Sequence, residues 1–477
     1  MNLIYKVDDK PKFGQLIIFA LQQLFAIMTA TLVVPVIVSG TYGFGNVTLS
    51  PAAALFGAGV GTLIYVLFTK RKSPVFLGSS FAFIGSMTAA FAGAVSMALG
   101  VLGLILGAIF AGLVYVILAL ITKKAGVKWI DKIMPLAVIG PVVALIGLNL
   151  APNAVGDLQH CAGIGALEKG NVYLCILCGL LTLFVTIICS TFGKKMVKLI
   201  PFIIGILAGY ALALILTIIG HIADVNVLKI ISFEPFKNLL VDGHVAVKTF
   251  VDLPKFTFIE AFKGFKDLDF SYVLTIFVAY TPVALVCFAE HLADHKNLSS
   301  IIDQDLLAEP GLHRTLLGDG IGSIGGAFFG GCPNTTYGES IGCVAITKNA
   351  SVLTIITAAV MAIIVSFLSP FVAFVNSIPS CVMGGVCIAL YGFIAVSGLK
   401  MIQKVDLSLN KNLFVVSTIL ITGIGGLILT FGKITITNIA VAMILGIILN
   451  QILKHSKEDE VAPSEEKQEQ QQEIKEE

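Results

Sequence analysis

The sequence predicts an all-α polytopic membrane protein. Of its 477 residues, 57% are hydrophobic, only 13% are charged, and the mean hydropathy is +0.95. Soluble domains carry about a quarter charged residues, so this composition argues against an ordinary soluble protein. Long apolar runs recur along almost the whole chain, and a helix needs about 20 such residues to cross a bilayer.

Fourteen apolar segments predict the transmembrane helices, as two groups of seven separated by a long polar stretch. The first group comprises residues 14–40, 51–69, 74–92, 94–121, 129–150, 171–193 and 199–220. The second comprises residues 271–293, 316–330, 333–346, 351–368, 378–399, 413–431 and 434–453. The polar N-terminus lacks the layout of a signal peptide, so the first segment is expected to be retained as a span.

The positions of Lys and Arg predict that both termini face the cytoplasm. With the N-terminus inside, the short external loops 41–50, 151–170 and 369–377 contain a single Lys or Arg residue, Lys169. The cytoplasmic loops hold many basic residues, as the positive-inside rule expects. Among them are Lys70, Arg71, Lys72, Lys123, Lys124, Lys194, Lys195, Arg314, Lys348, Lys400, Lys404 and Lys411. The lone Trp129 is expected at the cytoplasmic interface of the membrane.

Two groups of seven spans predict an inverted repeat, because an odd number of crossings turns the second copy over. The third segment of each group is unusual: SPVFLGSSFAF at 73–83 and GGCPNTTYGESIG at 330–342. Both contain a proline near the start, glycine, hydroxyl-bearing residues and an aromatic residue. Interrupted spans at corresponding positions of two halves point to a binding site near the membrane midplane. Close helix packing through small residues is the alternative.

Four acidic residues in or near the second group of spans are the candidate functional residues. A charged side chain at the bilayer centre costs about 2.5–3.5 kcal/mol on insertion scales, so such residues are functional candidates by default. The four residues are Glu290, Asp294, Asp319 and Glu339. The spacing of Glu290 and Asp294 puts both on one face of a helix. A structural role is expected for Asp319.

The histidines and cysteines give weaker signals. His295 is expected near the headgroups, His291 at a packing or interfacial position, and His313 on the cytoplasmic surface beside Arg314. The C-x-x-C of Cys175 and Cys178 lies in an apolar run without a second pair, which favours packing over zinc or redox chemistry. No metal or cofactor is expected, and the absence of a nucleophile–base pair argues against an enzyme.

Four stretches carry a resemblance to a known family. FAEHLAD (288–294), PNTTYGESIG (333–342), VFLGSSFAF (75–83) and ALYG (389–392) resemble motifs of the nucleobase–ascorbate transporter family, also called nucleobase:cation symporter-2. The similarity runs from about residue 14 to 453, and the bacterial uracil permeases are the branch that it resembles most. The sequence departs from the usual pattern at Ser340, where the family has Asn, and at Gln22-Gln23, where it has Gln-His. Some relatives have His in place of Asp294.

The resemblance implies a nucleobase site in which two carboxylates, those of Glu290 and Glu339, contact the ring. Backbone groups of the two interrupted spans and three lining side chains complete that site: Phe81, Gly338, Tyr337, Tyr391 and Ala30. Proton coupling is implied for Glu290 and Glu339 together with Asp294.

The resemblance also implies two domains. A core domain combines residues 14–121 (spans one to four) with 271–368 (spans eight to eleven), and a gate domain combines 122–220 with 369–453. The remaining parts are a cytoplasmic N-terminus (1–13), an extracytoplasmic loop (221–270) and a polar, acidic tail (454–477) that is expected to be disordered in the cytoplasm. Family members commonly form homodimers through their gate domains.

Proton-coupled uptake of uracil across the plasma membrane, by alternating access, is the predicted function. Uracil presents N–H donors next to carbonyl acceptors, which suit a carboxylate and the backbone N–H groups of a half-helix. A buried carboxyl group beside a second one takes up a proton more readily, so the site could carry a proton as well. Sodium coupling stays an alternative.

Other functions of the same architecture stay open. One is a symporter for a purine, such as xanthine or urate, or for another nucleobase. Anion carriers of this fold tend to place a basic residue at the site, and none stands at the matched positions. A non-transporting receptor or a channel is a further alternative, but a channel would require rings of charge in an oligomer.

Overall fold

A computed structural model gives the fold of residues 3–126, 135–161, 163, 166, 170–194, 196–240, 244–431 and 434–453. The longer helices of the first half are α1 (Phe13–Val38), α2 (Pro51–Phe68), α3 (Ile84–Ala92), α4 (Met97–Ala125), α5 (Leu136–Asp157), α6 (Asn171–Phe192) and α7 (Pro201–Ile222). The position predicted for Trp129 and the tail 454–477 lie outside the described residues.

In the second half, as in the first, two long helices precede a short third one. The longer helices of this half are α8 (Phe270–Ile302), α9 (Leu312–Gly330), α10 (Gly338–Thr347), α11 (Val352–Ser366), α12 (Ser369–Ser377), α13 (Ser380–Ile402), α14 (Asn410–Ile424) and α15 (Asn438–Ile452). Between the halves, the predicted external loop contains short helical turns at Glu234–Lys237, Val247–Phe250 and Thr257–Ala261.

Each of the fourteen predicted segments overlaps one of these helices. Within the described residues, eight helices are long and apolar enough to cross a membrane by themselves: α1, α2, α4, α5, α6, α7, α8 and α13. The fold is therefore that of a mostly helical polytopic membrane protein. Crossing by all fourteen segments, and the division into core and gate domains, stay predictions.

Several predicted boundaries differ from the structure. The segment 413–431 is not one helix, because α14 ends at Ile424 and Gly426 adopts a positive φ of 72°. An antiparallel hairpin of β5 (Leu429–Phe431) and β6 (Ile434–Ile436) follows. The fifth helix begins at Leu136, directly after a proline, rather than at 129. The helix α8 continues to Ile302 instead of ending near 293. The polar residues after 293 therefore belong to the same helix.

The two interrupted segments meet as a pair of short strands. Strand β3 (Leu77–Ser79) pairs antiparallel with β4 (Asn334–Thr336), and Gly78 lies opposite Thr335. A proline precedes each strand closely, and proline cannot donate to a helical ladder. A short helix follows each strand: α3 after a single 3₁₀ turn at Phe81–Phe83, and α10 directly. The pairing joins the two halves of the chain at their matched positions.

Helices α2 and α9 pack closely beside this strand pair because glycines face each other across their contact. A Cβ atom added at Gly61 would lie 2.7 Å from the carbonyl oxygen of Gly322 on α9. The side-chain amide of Asn334 in β4 donates to the carbonyl oxygen of Gly57, at 3.1 Å. The close approach of the two helices thus holds β4 in place.

We expect Gly61→Ala to destabilise the protein by about 1–3 kcal/mol, because the added methyl group would force the backbones of α2 and α9 apart. Thermal unfolding of the purified protein in detergent measures this effect. Gly392→Ala on α13 is the matched control, since a Cβ there meets nothing within 4 Å. Equal melting temperatures for the two variants would contradict the packing argument.

The N-terminal segment (residues 3–9) runs along the chain that follows α10. The backbone N–H of Ile4 donates to the carbonyl oxygen of Lys348 at 2.8 Å, and Val352 N–H donates to Val7 at 3.1 Å. The side chain of Lys72, just before β3, forms an exposed ion pair with Asp8 at 3.1 Å. The segment therefore contacts the chain next to both interrupted elements.

Candidate functional site

A small cavity of about 80 Å³ lies beside the β3–β4 pair. Two acidic side chains line it, Glu290 from α8 and Glu339 from the first turn of α10. Its other polar lining comes from Ser80 after β3, from β4 and from the chain that follows β4. Apolar side chains close the remaining side: Phe81, Ala82, Val143, Ile146 and Ile394. The two carboxyl groups lie close enough to repel each other when both are charged.

Two helix starts from opposite halves of the chain also face this cavity. Phe81 begins the 3₁₀ turn that leads into α3, and Gly338 is the first residue of α10. The first N–H groups of a helix have no partner within the helix, so they are available to an acceptor. The cavity therefore combines carboxylate acceptors with backbone donors, which suits a neutral ring that carries both N–H and C=O groups.

Five of the seven residues predicted to bind substrate line this cavity: Glu290, Glu339, Phe81, Gly338 and Tyr337. The other two do not line it. The ring of Tyr391 packs edge-on against Phe81, with ring centroids 6.1 Å apart. Ala30 of α1 lies buried in a cluster that also contains Tyr337. Both therefore support residues that face the cavity.

Hydrogen bonds hold the strand β4 and the residue after it against their neighbours. The hydroxyl of Tyr337 donates to the carbonyl oxygen of Ser79 in β3, at 2.6 Å. The hydroxyl of Thr336 donates to Asp294 Oδ2, at 2.8 Å. Asp294 lies outside the cavity, one turn of α8 from Glu290. It ties the helix that carries Glu290 to the strand that precedes Glu339.

A larger cavity of about 450 Å³ adjoins the small one, and the two share Phe81, Ala82 and Ile146. Helices α3 and α8 form one wall of the larger cavity, and α5 and α15 form the other. It extends to Ile428 and Thr437, which flank the β5–β6 hairpin. The predicted topology places that hairpin on the extracytoplasmic side.

The two departures from the family pattern contact each other. The Nε2 of Gln23 on α1 donates to Ser340 Oγ on α10 at 2.7 Å, and both residues are buried. The backbone N–H of Phe76 donates to the same oxygen at 3.0 Å. Ser340 thus joins α1, the chain before β3 and the helix that carries Glu339. Sequence reasoning noticed both positions but missed the contact, because 317 residues separate them.

We expect Ser340→Ala to lower stability by about 1–3 kcal/mol, because two buried donors would lose their shared acceptor. A double-mutant cycle with Gln23→Ala, measured by thermal unfolding, tests the pairing. The double variant should lose less stability than the sum of the two single variants. Ser300→Ala, on an exposed face of α8, is the matched control. Strict additivity would show that the contact contributes nothing.

A second group of polar side chains lies buried behind the cavity. His291 Nδ1 lies 2.7 Å from Asp319 Oδ2 of α9, and His295 Nε2 lies 2.6 Å from the Tyr65 hydroxyl of α2. His295, which was expected near the headgroups, is 0% exposed and therefore packs inside the protein, while its depth in the membrane stays a prediction. It stands well inside α8, which extends beyond the predicted end of the span. Asp319 does not line the small cavity, and Arg314 is half-buried.

The apolar helices define an integral membrane protein. Residues 14–431 match the model of a permease family, and the chain belongs to that family, as its motifs predict. Its relatives are permeases and not enzymes. The uracil permease of Bacillus caldolyticus is 38% identical over 453 residues, which is 94% of each chain. The uracil permease of Escherichia coli (strain K12) is 34% identical over 450 residues, 94% of this chain and 93% of the relative.

Solved structures share the fold at low sequence identity. The transmembrane domain of the cyanobacterial bicarbonate transporter BicA matches with a TM-score of 0.57 and 14% identity, over 93% of this chain and 100% of that one. The murine Solute Carrier 26 family member A9 anion transporter, in the inward-facing state, matches with a TM-score of 0.62 and 10% identity. That match covers 94% of this chain and 69% of the other. These likenesses establish the fold alone.

Proposed function

We propose that the protein takes up uracil together with a proton across the plasma membrane, by alternating access, with both termini in the cytoplasm. The observation that carries this proposal is the small cavity in which Glu290, Glu339 and two helix starts converge. The uracil permeases among the relatives point to the same substrate. We include in the proposal the fourteen spans, the core and gate domains, and a homodimer through the gate domain.

The chemistry of the cavity suits uracil. The Glu290 and Glu339 carboxylates accept hydrogen bonds from ring N–H groups, and the backbone N–H groups at Phe81 and Gly338 donate to the ring carbonyls. Such polar pairing rejects analogues that lack the matching groups far more strongly than shape alone. A cavity of about 80 Å³ has room for a single small ring. The choice of a pyrimidine over a two-ring purine rests on the uracil permeases among the relatives.

Proton coupling follows from the charge of the same site. Uracil is neutral, so it brings nothing to balance two carboxylates that face one buried cavity. Loading one proton onto this pair lowers the electrostatic penalty of the occupied site. The bound proton then crosses the membrane with the substrate. Asp294 sits close enough to Glu290 to influence where that proton resides.

Alternating access requires two structural bodies that move against each other around the site. The larger cavity separates α3 and α8, which belong to the proposed core domain, from α5 and α15 of the proposed gate domain. We infer that this cavity is the outer entry route to the small one. Closing it would require α5 and α15 to approach α3 and α8.

Uptake of radiolabelled uracil into cells that lack their own carrier tests the proposal. Uptake that a protonophore abolishes, and that excess unlabelled xanthine leaves unchanged, supports both the substrate and the coupling. Inhibition by xanthine would place a purine ahead of uracil. Protonophore-resistant uptake that requires sodium would overturn proton coupling. No uptake by protein shown to be folded in the membrane would overturn the uracil assignment itself.

A further inference from the structure

The buried group formed by His291, Asp319 and Thr315 lies behind the candidate substrate cavity and has no role in the proposed function. Its hydrogen bonds indicate where its protons lie. His291, Asp319 and Thr315 are each no more than 1% exposed. The Nδ1 of His291 lies 2.7 Å from Asp319 Oδ2, and its Nε2 lies 3.0 Å from Thr315 Oγ1. These contacts pair donors with acceptors, because a buried polar group without a hydrogen-bond partner is costly.

The partner of Thr315 fixes the protonation of His291. The Thr315 hydroxyl donates its only proton to the carbonyl oxygen of Leu312, at 3.0 Å. With its proton in that bond, the hydroxyl oxygen accepts from His291, and Nε2 carries the donated proton. Either Nδ1 is protonated and faces an Asp319 carboxylate, or Nδ1 accepts from a protonated Asp319. In both cases one proton lies in the contact between His291 and Asp319.

Asp319 also lines a second cavity, which is smaller than the candidate substrate cavity. Asp319 Oδ1 and the Tyr115 hydroxyl are buried and have no hydrogen-bond partner among the described residues. Both residues line a cavity of about 10 Å³, together with Ser323 and Thr335. This volume is about that of one water probe, and these side chains offer the two to four polar partners that a buried water requires. Thr335 also lines the candidate substrate cavity.

We propose that His291 and Asp319 form a second proton-binding site, joined to the candidate substrate cavity by one water in the cavity of about 10 Å³ and by Thr335. Its role in transport rests on the proposed proton-coupled function. A proton that leaves the contact bonds to the water, and the water passes one of its own protons through the Thr335 hydroxyl to Glu290. Water and threonine end unchanged, the pair loses one proton, and Glu290 gains one.

The groups around the pair allow this exchange to conserve net charge. On α8, Glu290 and Asp294 both interact electrostatically with Asp319, and the ring of His295 stacks on His291 with centroids 4.0 Å apart. Helix α4 contributes the neutral Tyr115, and α2 contributes Tyr65. No Lys or Arg is buried beside the pair within the described residues. A proton lost from the pair is therefore balanced most directly by a proton gained at Glu290.

The Asp319→Asn variant tests whether Asp319 acts by binding a proton or only by holding His291 in place. The Asn amide can donate to His291 Nδ1 as a protonated Asp319 would, but it carries no exchangeable acid proton. In proteoliposomes, uracil exchange at equal pH should stay within about twofold of the wild type. Net uptake driven by a pH gradient should fall about tenfold or more, because the second site can no longer bind and release a proton. Asp303→Asn, at the exposed end of α8, is the matched control.

Two outcomes would overturn the proposal: gradient-driven uptake kept by Asp319→Asn, or an equal loss of exchange and gradient-driven uptake. If this variant does not fold, His291→Gln provides the same comparison. Nitrogen-15 NMR of labelled histidine gives a test without substrate, since His291 Nε2 should stay protonated in the wild type at neutral pH. An unprotonated Nε2 would overturn the second site. Wild-type protein without gradient-driven uptake would instead contradict the proposed function.

Discussion

Replacing Glu290 with glutamine is expected to abolish uracil uptake while the protein stays folded. Glutamine matches the size of glutamate but replaces one carboxylate oxygen with an N–H₂ group, which would face a ring N–H without an acceptor. An unsatisfied group in a buried site costs about 1–3 kcal/mol, and more where a charge is involved. The same change removes a site for the coupled proton. Together these losses should reduce uptake by about a hundredfold or more.

Uptake of labelled uracil measures the loss of transport, and thermal unfolding of the purified variant shows whether the protein stays folded. Glu339→Gln should behave alike, because Glu339 lines the same cavity. Glu234→Gln in the predicted external loop is the control, since this glutamate is exposed. Normal transport by Glu290→Gln would remove Glu290 from the site.

The second large effect is expected for Asp294→Asn, which should slow net uptake far more than it weakens binding. The Thr336 hydroxyl donates to Asp294 at 2.8 Å, and the amide oxygen of Asn can accept the same bond. The geometry of β4 should therefore survive, whereas the negative charge near Glu290 disappears. Without that charge, the cost of ionising Glu290 during release of the proton changes.

We expect uracil binding within about threefold of the wild type and gradient-driven uptake reduced about tenfold. Isothermal titration with the purified protein and uptake into proteoliposomes give the two quantities separately. Thr336→Val is a useful companion, because it removes the hydrogen bond and keeps the charge. A parallel fall of binding and uptake, with the proton stoichiometry intact, would assign Asp294 a structural role instead.

The sequence predicts the candidate site well where local composition breaks a strong rule. Carboxylates and proline–glycine stretches are out of place in transmembrane helices, so Glu290, Glu339 and the two interrupted segments are visible without a structure. Interrupted segments at matched positions of the two halves then point to a binding site near the membrane midplane. The structure places β3 and β4 side by side.

Contacts between distant parts of the chain could not be predicted in this way. The Gln23–Ser340 bond and the His291–Asp319 pair depend on which helix faces turn toward each other, and polar residues at these positions give no signal of their partner. The burial of His295 was missed because the polar run after 293 resembles a helix leaving the membrane. The hairpin after α14 was missed because its residues are apolar enough to continue the span.

The N-terminal segment has a practical consequence for observing transport. Its backbone is bonded to residues 348–352, directly after the helix that carries Glu339, and its Asp8 pairs with Lys72 just before β3. The first residues of the chain should therefore travel as one body with both interrupted elements whenever these shift. A fluorophore attached at the exposed Lys10 would report that displacement from the predicted cytoplasmic face, without touching the cavity. Its distance to a second dye on α6 would record each turnover as a change in energy transfer.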